Sequence, residues 1–204
     1  GGIGVMHLLA KQSGLIEAID QNLQLLKVHL PYHESDHVLN IAYNILSGGD
    51  CIEDIELLRN DEVYLDALGA QRIPDPTTAG DFTRRFDEAD ILSLQECFNR
   101  ARVAIWKTQP KGFLKEAFID VDGTIAGTYG ECKQGMGLSY KGIWGYAPLI
   151  VSLANTKEVL YLVNRPGQAT SQEGSVAWID RAVDLVTQVS GTVTIRGDTD
   201  FSHT

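Results

Sequence analysis

Asn155-Thr156-Lys157 is the stretch that most constrains the fold of this sequence. It separates one near-continuous apolar run, Tyr146 to Ala154, from a second, Val159 to Val163. Three residues are too few for a crossover, so the two runs must pair as antiparallel neighbours. A sheet in which helices connect consecutive parallel strands does not accommodate such a step.

The neighbouring segments extend the pattern. Residues 116–122 read as a strand that ends in Asp120-Val121-Asp122-Gly123-Thr124. Residues two apart share a face of a strand, so Asp120 and Asp122 point the same way. Paired carboxylates at the end of an apolar strand are costly unless a metal ion or a chemical role compensates them. The glycine-rich residues 125–144 show little periodicity and read as a turn or loose hairpin. After Arg165-Pro166-Gly167, Ser171 with Glu173 or Gly174 opens an amphipathic helix through Val176, Ile179, Val183 and Val186, which Ser190-Gly191 ends. Val193 to Arg196 is a last strand, closing on Gly197-Asp198-Thr199-Asp200. The order is three strands, a helix and a strand, with aspartates ending the first and the last.

The first half reads as helical. Leu15, Ile16, Ile19, Leu23, Leu26 and Leu30 recur at helical spacing up to Pro31. Ser35 and Asp36 offer an N-cap for a helix carrying Val38, Ile41 and Ile45, stopped by Gly48-Gly49. Two short helices follow near Ile52–Leu58 and Val63–Leu68. Pro74-Asp75-Pro76 sets up a turn, Thr77 or Thr78 caps the next helix, and a long helix runs over roughly 89–107. The texture changes at Gln109-Pro110-Lys111-Gly112, giving a helical region over 1–110 and a sheet-containing region over 113–204.

Composition narrows the function. The formal net charge is −10, with 10 basic against 17 acidic residues up to Gly112 and 7 against 10 beyond it. That excess counts against a broad phosphate-binding footprint, although a local basic surface can coexist with it. No apolar stretch is long enough to span a bilayer, and no signal peptide is evident, so a cytoplasmic protein is expected. Cys51, Cys97 and Cys132 form no metal-binding spacing and read as reduced, mostly buried thiols. His29, His33 and His37 are spaced for one helical face, but Pro31 interrupts it. Trp106, Trp144 and Trp178 read as core residues rather than base-stacking platforms.

Three stretches carry a family resemblance: Asp120-Val121-Asp122-Gly123-Thr124, Lys141 through Gly145-Tyr146-Ala147-Pro148-Leu149, and Arg196-Gly197-Asp198-Thr199-Asp200-Phe201. In this order they resemble bacterial insertion-sequence transposases of the DDE class, in particular the insertion-sequence 1380 group. The last motif usually carries Ser where Thr199 stands. Pro74-Asp75-Pro76-Thr77-Thr78 with Phe82 and Phe86 is similar to the same family's N-terminal region. The resemblance implies an α+β chain: an all-α region, for DNA-end binding or dimer contacts, then a partial ribonuclease H-like core. In that core an antiparallel three-strand meander is followed by a crossover helix, and the fourth strand lies beside the first.

The chemistry so implied is metal-assisted phosphoryl transfer, nicking DNA and joining strands at the terminal inverted repeats of an insertion sequence and at target DNA. Asp122 and Asp198 are the expected catalytic metal ligands, for Mg²⁺ or alternatively Mn²⁺, with Asp120 and Asp200 as further candidates. Arg84, Arg85, Lys141 and Arg196 are weaker candidates for DNA contact, and a homodimer and association with the nucleoid are expected. The family's third acidic residue, a glutamate, has no counterpart before residue 204. The chain is therefore expected to be a C-terminally truncated piece, inactive by itself. Two alternatives stand beside this reading. One is an aspartate-nucleophile phosphatase, with Asp120 attacking phosphorus and Asp122 as acid/base; the other is an inactive DNA-binding remnant. Asp122 as a turn-former, Asp198 and Asp200 as helix caps, and Arg84 and Arg85 on a solvated face are the plain structural readings.

Overall fold

The computed structural model describes residues 2–130 and 133–198. The chain divides into two compact units, Gly1–Ile105 and Trp106–Thr204.

The first unit is helical: α1 (Ile3–Gln12), α2 (Leu15–Asn22), α3 (Glu34–Leu46), α4 (Ile55–Arg59), α5 (Glu62–Leu68), α6 (Pro76–Thr83) and most of α7 (Glu88–Lys107). Its core gathers Ile19, Leu23, Leu39, Tyr43, Ile55, Ala79 and Cys97. The helix expected to run on to Leu30 stops at Asn22, and Leu23 is already extended. Glu34 supplies the reason. Its carboxylate, fully buried, accepts the backbone N–H groups of Leu25 and Leu26 at 3.0 Å each. These donors are satisfied without a helix, and Leu23 reaches the core from an extended segment. The caps also differ from expectation. His33 opens α3 in a capping box with Asp36, and Asp75 caps α6, taking the N–H of Thr78 with Pro76 at the first helical position. Cys97 is buried but Cys51 is exposed, contrary to the expected burial, and Cys132 lies outside the described residues.

The second unit is built on a four-stranded sheet. Its strands are β1 (Ala117–Gly123), β5 (Leu149–Leu153), β6 (Glu158–Val163) and β7 (Val193–Gly197), in the order β6-β5-β1-β7. β5 runs antiparallel to both β1 and β6, whereas β7 runs parallel to β1. Strand alternation puts Ile119, Val121, Leu149, Val151 and Leu153 on one buried face. Helix α8 (Ser175–Val186) packs on β1, β5 and β6 and buries Ala182, Leu185 and Val186. A bulge shifts the β5–β6 register between the pairs Val151–Tyr161 and Ser152–Val159.

Residues 125–144, expected as a loose hairpin, contribute instead to a second small sheet. β2 (Ala126–Gly127), β3 (Gly137–Leu138) and β4 (Trp144–Tyr146) pair antiparallel in the order β2-β4-β3. The apolar run from Tyr146 to Ala154 is thus two strands, not one. The break falls at Ala147-Pro148, where proline lacks the ladder donor and its carbonyl accepts the N–H of Thr124.

Candidate metal and nucleic-acid site

β1 and β7 bring the aspartates together. Their parallel register pairs Ala117 with Val193 and ends with Val121 opposite Gly197. Asp122 is the next residue on β1 and Asp198 the first residue past β7, and both are exposed. Asp122 also lies opposite Ile150 of β5. It sits on the face away from α8, because Ile119 and Val121 occupy the covered one.

Asp120 shares that face but is committed elsewhere. It lies opposite Arg196 in the register. The guanidinium donates from Nε to Oδ1 at 2.6 Å and from Nη2 to Oδ2 at 2.8 Å. Both carboxylate oxygens are engaged in this bidentate fork. Hydrogen bonding to Asp120 raises the pKa of Arg196. The same guanidinium lies 5.3 Å from the centre of the Phe118 ring. Asp120, a candidate ligand, and Arg196, a candidate DNA contact, are therefore partners of each other across the strands.

Gly123 follows Asp122 at a tight approach. A Cβ there would lie 3.2 Å from Ser171 Oγ and 3.5 Å from Arg165 Nη2. Arg165 holds the segment ahead of α8 through backbone carbonyls. Its Nε donates to Ala147 O at 2.9 Å, and its Nη1 to the carbonyls of Thr170, Ser171 and Glu173 at 3.0, 3.2 and 2.7 Å. Its Nη2 is buried without a hydrogen-bond partner. Burial lowers the Arg165 pKa, and the nearby Glu173 works against that shift. In the sequence Arg165 stands only in the Arg165-Pro166-Gly167 stretch ahead of the amphipathic helix. Its partners are carbonyls, which every residue carries, so no motif marks it.

The remaining candidates lie apart from the aspartates in the chain. Arg84 pairs with Asp81 at 2.6 Å on the exposed surface, and Arg85 donates to the carbonyl of Leu25. Lys141 sits over the Tyr140 ring. Asp200 lies outside the described residues. Among the described residues no group of three or more His, Cys, Asp or Glu side chains is placed to hold a metal ion. No helix among them is long and apolar enough to cross a membrane.

Helices followed by a mixed sheet, with aspartates at the ends of two parallel neighbours, make this a mixed α+β protein compatible with a nucleic-acid transferase. The chain belongs to the family of transposase DDE domains, group 1, whose sequence model matches residues 1–204. Membership makes it a transposase domain, with polynucleotidyl transfer as the activity and DNA as the partner that the family implies. No curated protein and no solved structure matches the chain. A phosphatase of the aspartate-nucleophile type needs a parallel sheet with a helix after its first strand. Here β1 leads into the small sheet and pairs antiparallel with β5.

Proposed function

We propose that this chain carries two of the metal-binding carboxylates, Asp122 and Asp198, of an insertion-sequence transposase of the 1380 group with a ribonuclease H-like core. The observation that supports this most directly is the β1–β7 register, which ends one residue before each aspartate. The donor set suits a hard divalent cation. Mg²⁺ and Mn²⁺ take carboxylate oxygens and leave further positions to water and phosphate. When bound, the cation supplies Lewis-acid polarisation of the scissile phosphate and activation of the attacking hydroxyl.

The chain's own residues do the positioning. Asp122 and Asp198 present negative oxygen at adjoining strand ends, open to solvent and so to DNA. Asp120 and Arg196 clamp β1 to β7 two residues back from those ends. The Gly123 approach to Ser171 and Arg165 fixes where the chain turns after Asp122. The substrate is DNA at insertion-sequence termini and at the target, and the helical first unit takes part in end binding or in contacts between two copies.

Titration of the 204-residue chain with Mn²⁺, followed by electron paramagnetic resonance of the free ion, tests the assignment. Wild-type protein should bind the ion, and Asp122→Asn and Asp198→Asn should each weaken binding severely. Asp120→Asn should weaken it far less. Unchanged binding in the Asp122→Asn, Asp198→Asn double variant would remove the site.

A further inference from the structure

We propose that the small sheet β2-β4-β3 is a stacking platform for an unpaired nucleotide of the DNA substrate. Its surface is aromatic to a degree that folding does not explain. Tyr129, Tyr140 and Trp144 have relative exposures of 105%, 87% and 58%. Trp144, expected in the core, is therefore displayed instead. Large aromatic side chains normally bury most of their area, and here three lie exposed within sixteen residues of sequence. Tyr129 and Trp144 line a cleft of about 660 Å³ together with Met136 and Ile143. That volume falls in the range of small-ligand sites.

The platform is fastened from behind. Gly127, Gly145 and Gly137 stand side by side across the three strands. A Cβ on Gly145 would lie 2.1 Å from the carbonyl oxygen of Ala126, and one on Gly167 would lie 2.3 Å from that of Gly137. This glycine row lets the Gly167 turn approach the sheet backbone. Trp144 and Leu138, paired across the strands, flank the row and stay exposed.

Charge and number select the occupant. Residues 124–146 carry Lys133 and Lys141 against a single Glu131, in a chain of net charge −10. Lys133 bonds to Thr128 Oγ1, and Lys141 lies over the Tyr140 ring, so both cations sit beside aromatic or cleft-lining residues. Two lysines match one or two phosphates, not the six to ten contacts of a duplex footprint. Three exposed rings match base faces, which are available only where bases are unpaired. The sheet begins at Ala126, four residues after Asp122, so the platform follows the proposed carboxylate closely in the sequence.

This inference rests on the family's DNA partner and does not involve the carboxylates. Its test is run in EDTA, so failure here and failure of the metal assignment are distinguishable. The 204-residue chain is titrated into a single-stranded oligonucleotide of about twelve nucleotides, within the usual site size, carrying 2-aminopurine, and into the blunt duplex of the same sequence. The single strand should bind more tightly, with quenching of the stacked 2-aminopurine. Tyr129→Leu and Trp144→Leu should each weaken binding about tenfold. Trp144→Phe, which keeps a π face, should retain most of it. All three variants replace exposed side chains, and an unchanged circular dichroism spectrum verifies their fold. Equal or tighter duplex binding, full binding by Trp144→Leu, or equal loss in the Phe and Leu variants would overturn the proposal.

Discussion

Replacing Arg165 by Met tests how the chain beyond Asp122 is held. The guanidinium donates to four backbone carbonyls, but these do not count equally. Thr170 and Glu173 are exposed, and their carbonyls return to water at little cost. Ala147 is buried and Ser171 half-buried, so the bonds to their oxygens, at 2.9 and 3.2 Å, carry most of the effect. Hydrogen bonds from a charged donor contribute about 1.5–3 kcal/mol each, and two at the lower value give about 3 kcal/mol. Methionine fills much of the same volume, so little of the loss comes from a cavity. The unpartnered Nη2 works the other way, because its removal relieves a buried donor. The net expectation is a destabilisation of about 2–3 kcal/mol, read from urea unfolding followed by Trp fluorescence. Arg165→Lys should recover less than half, since one ammonium cannot reproduce a fork that reaches carbonyls on two sides. A loss below about 0.5 kcal/mol, the scale of an ordinary surface substitution, or complete rescue by lysine, would refute the reasoning.

Acidification should weaken the helical unit through His37. This ring is buried, stacks on Phe82 with centroids 4.5 Å apart, and leaves Nδ1 without a hydrogen bond. Burial is the main cause of its lowered pKa. Asp36 opposes that shift and Arg85 adds to it, while Glu34 and Asp75 also oppose it. The unfolded state therefore binds more protons, and stability rises with pH. The contribution is whole above the ordinary value of 6.5 and is lost as pH falls below it towards the folded pKa. Urea midpoints measured between about pH 7.5 and about pH 5.5 should fall in the wild type and fall less in His37→Phe. The residual slope belongs in part to His7, which burial also lowers; an unchanged slope in His37→Phe would dismiss the assignment. Gly145→Val places a Cβ against the Ala126 carbonyl, a backbone atom that cannot rotate away. Overpacking of this kind costs about 1–3 kcal/mol, and limited proteolysis should find new cleavage within residues 124–146. A digestion pattern identical to wild type would show that the glycine row is not required.

The elements that could be read from sequence are those whose pattern is local. The expected strand at 116–122 is β1, the apolar run at 159–163 lies in β6, and the amphipathic spacing of Val176, Ile179, Val183 and Val186 lies in α8. Each carries its own periodicity. The second sheet was not legible, because strands of two or three residues have no period. Its glycines acquire meaning only when Gly167 packs against them. Trp144 was misread for the same reason: most tryptophans are buried, and its exposure follows from a sheet too small to have a core. The run from Leu15 to Leu30 misled in the opposite direction. Its spacing is helical throughout, yet Glu34, eight and nine residues beyond Leu26 and Leu25, takes the donors that a longer helix would have used internally.

The two aspartates of β1 show where sequence reasoning reaches its limit and register takes over. Asp120 and Asp122 are equivalent by strand periodicity: one face, two residues apart, each flanked by apolar neighbours. What separates them is the residue opposite each one on β7. Arg196 faces Asp120 and claims both of its oxygens in a bidentate pair. A cation competing for that carboxylate would have to displace two charge-assisted hydrogen bonds and meet a guanidinium at close range. Asp122 has no such neighbour in the register. Two residues after Arg196, just past β7, stands another carboxylate, Asp198, and two like charges at adjoining positions favour a cation between them. The ion pair thus lies within the parallel ladder, and the acidic pair follows two residues on, just past its last pair, Val121–Gly197. The first neutralises charge and fixes strand alignment, and the second accumulates charge at the open end. A two-residue slip of β7 would set Arg196 opposite Asp122 instead, so the register of β1 against β7 decides which aspartate is left for the proposed metal site.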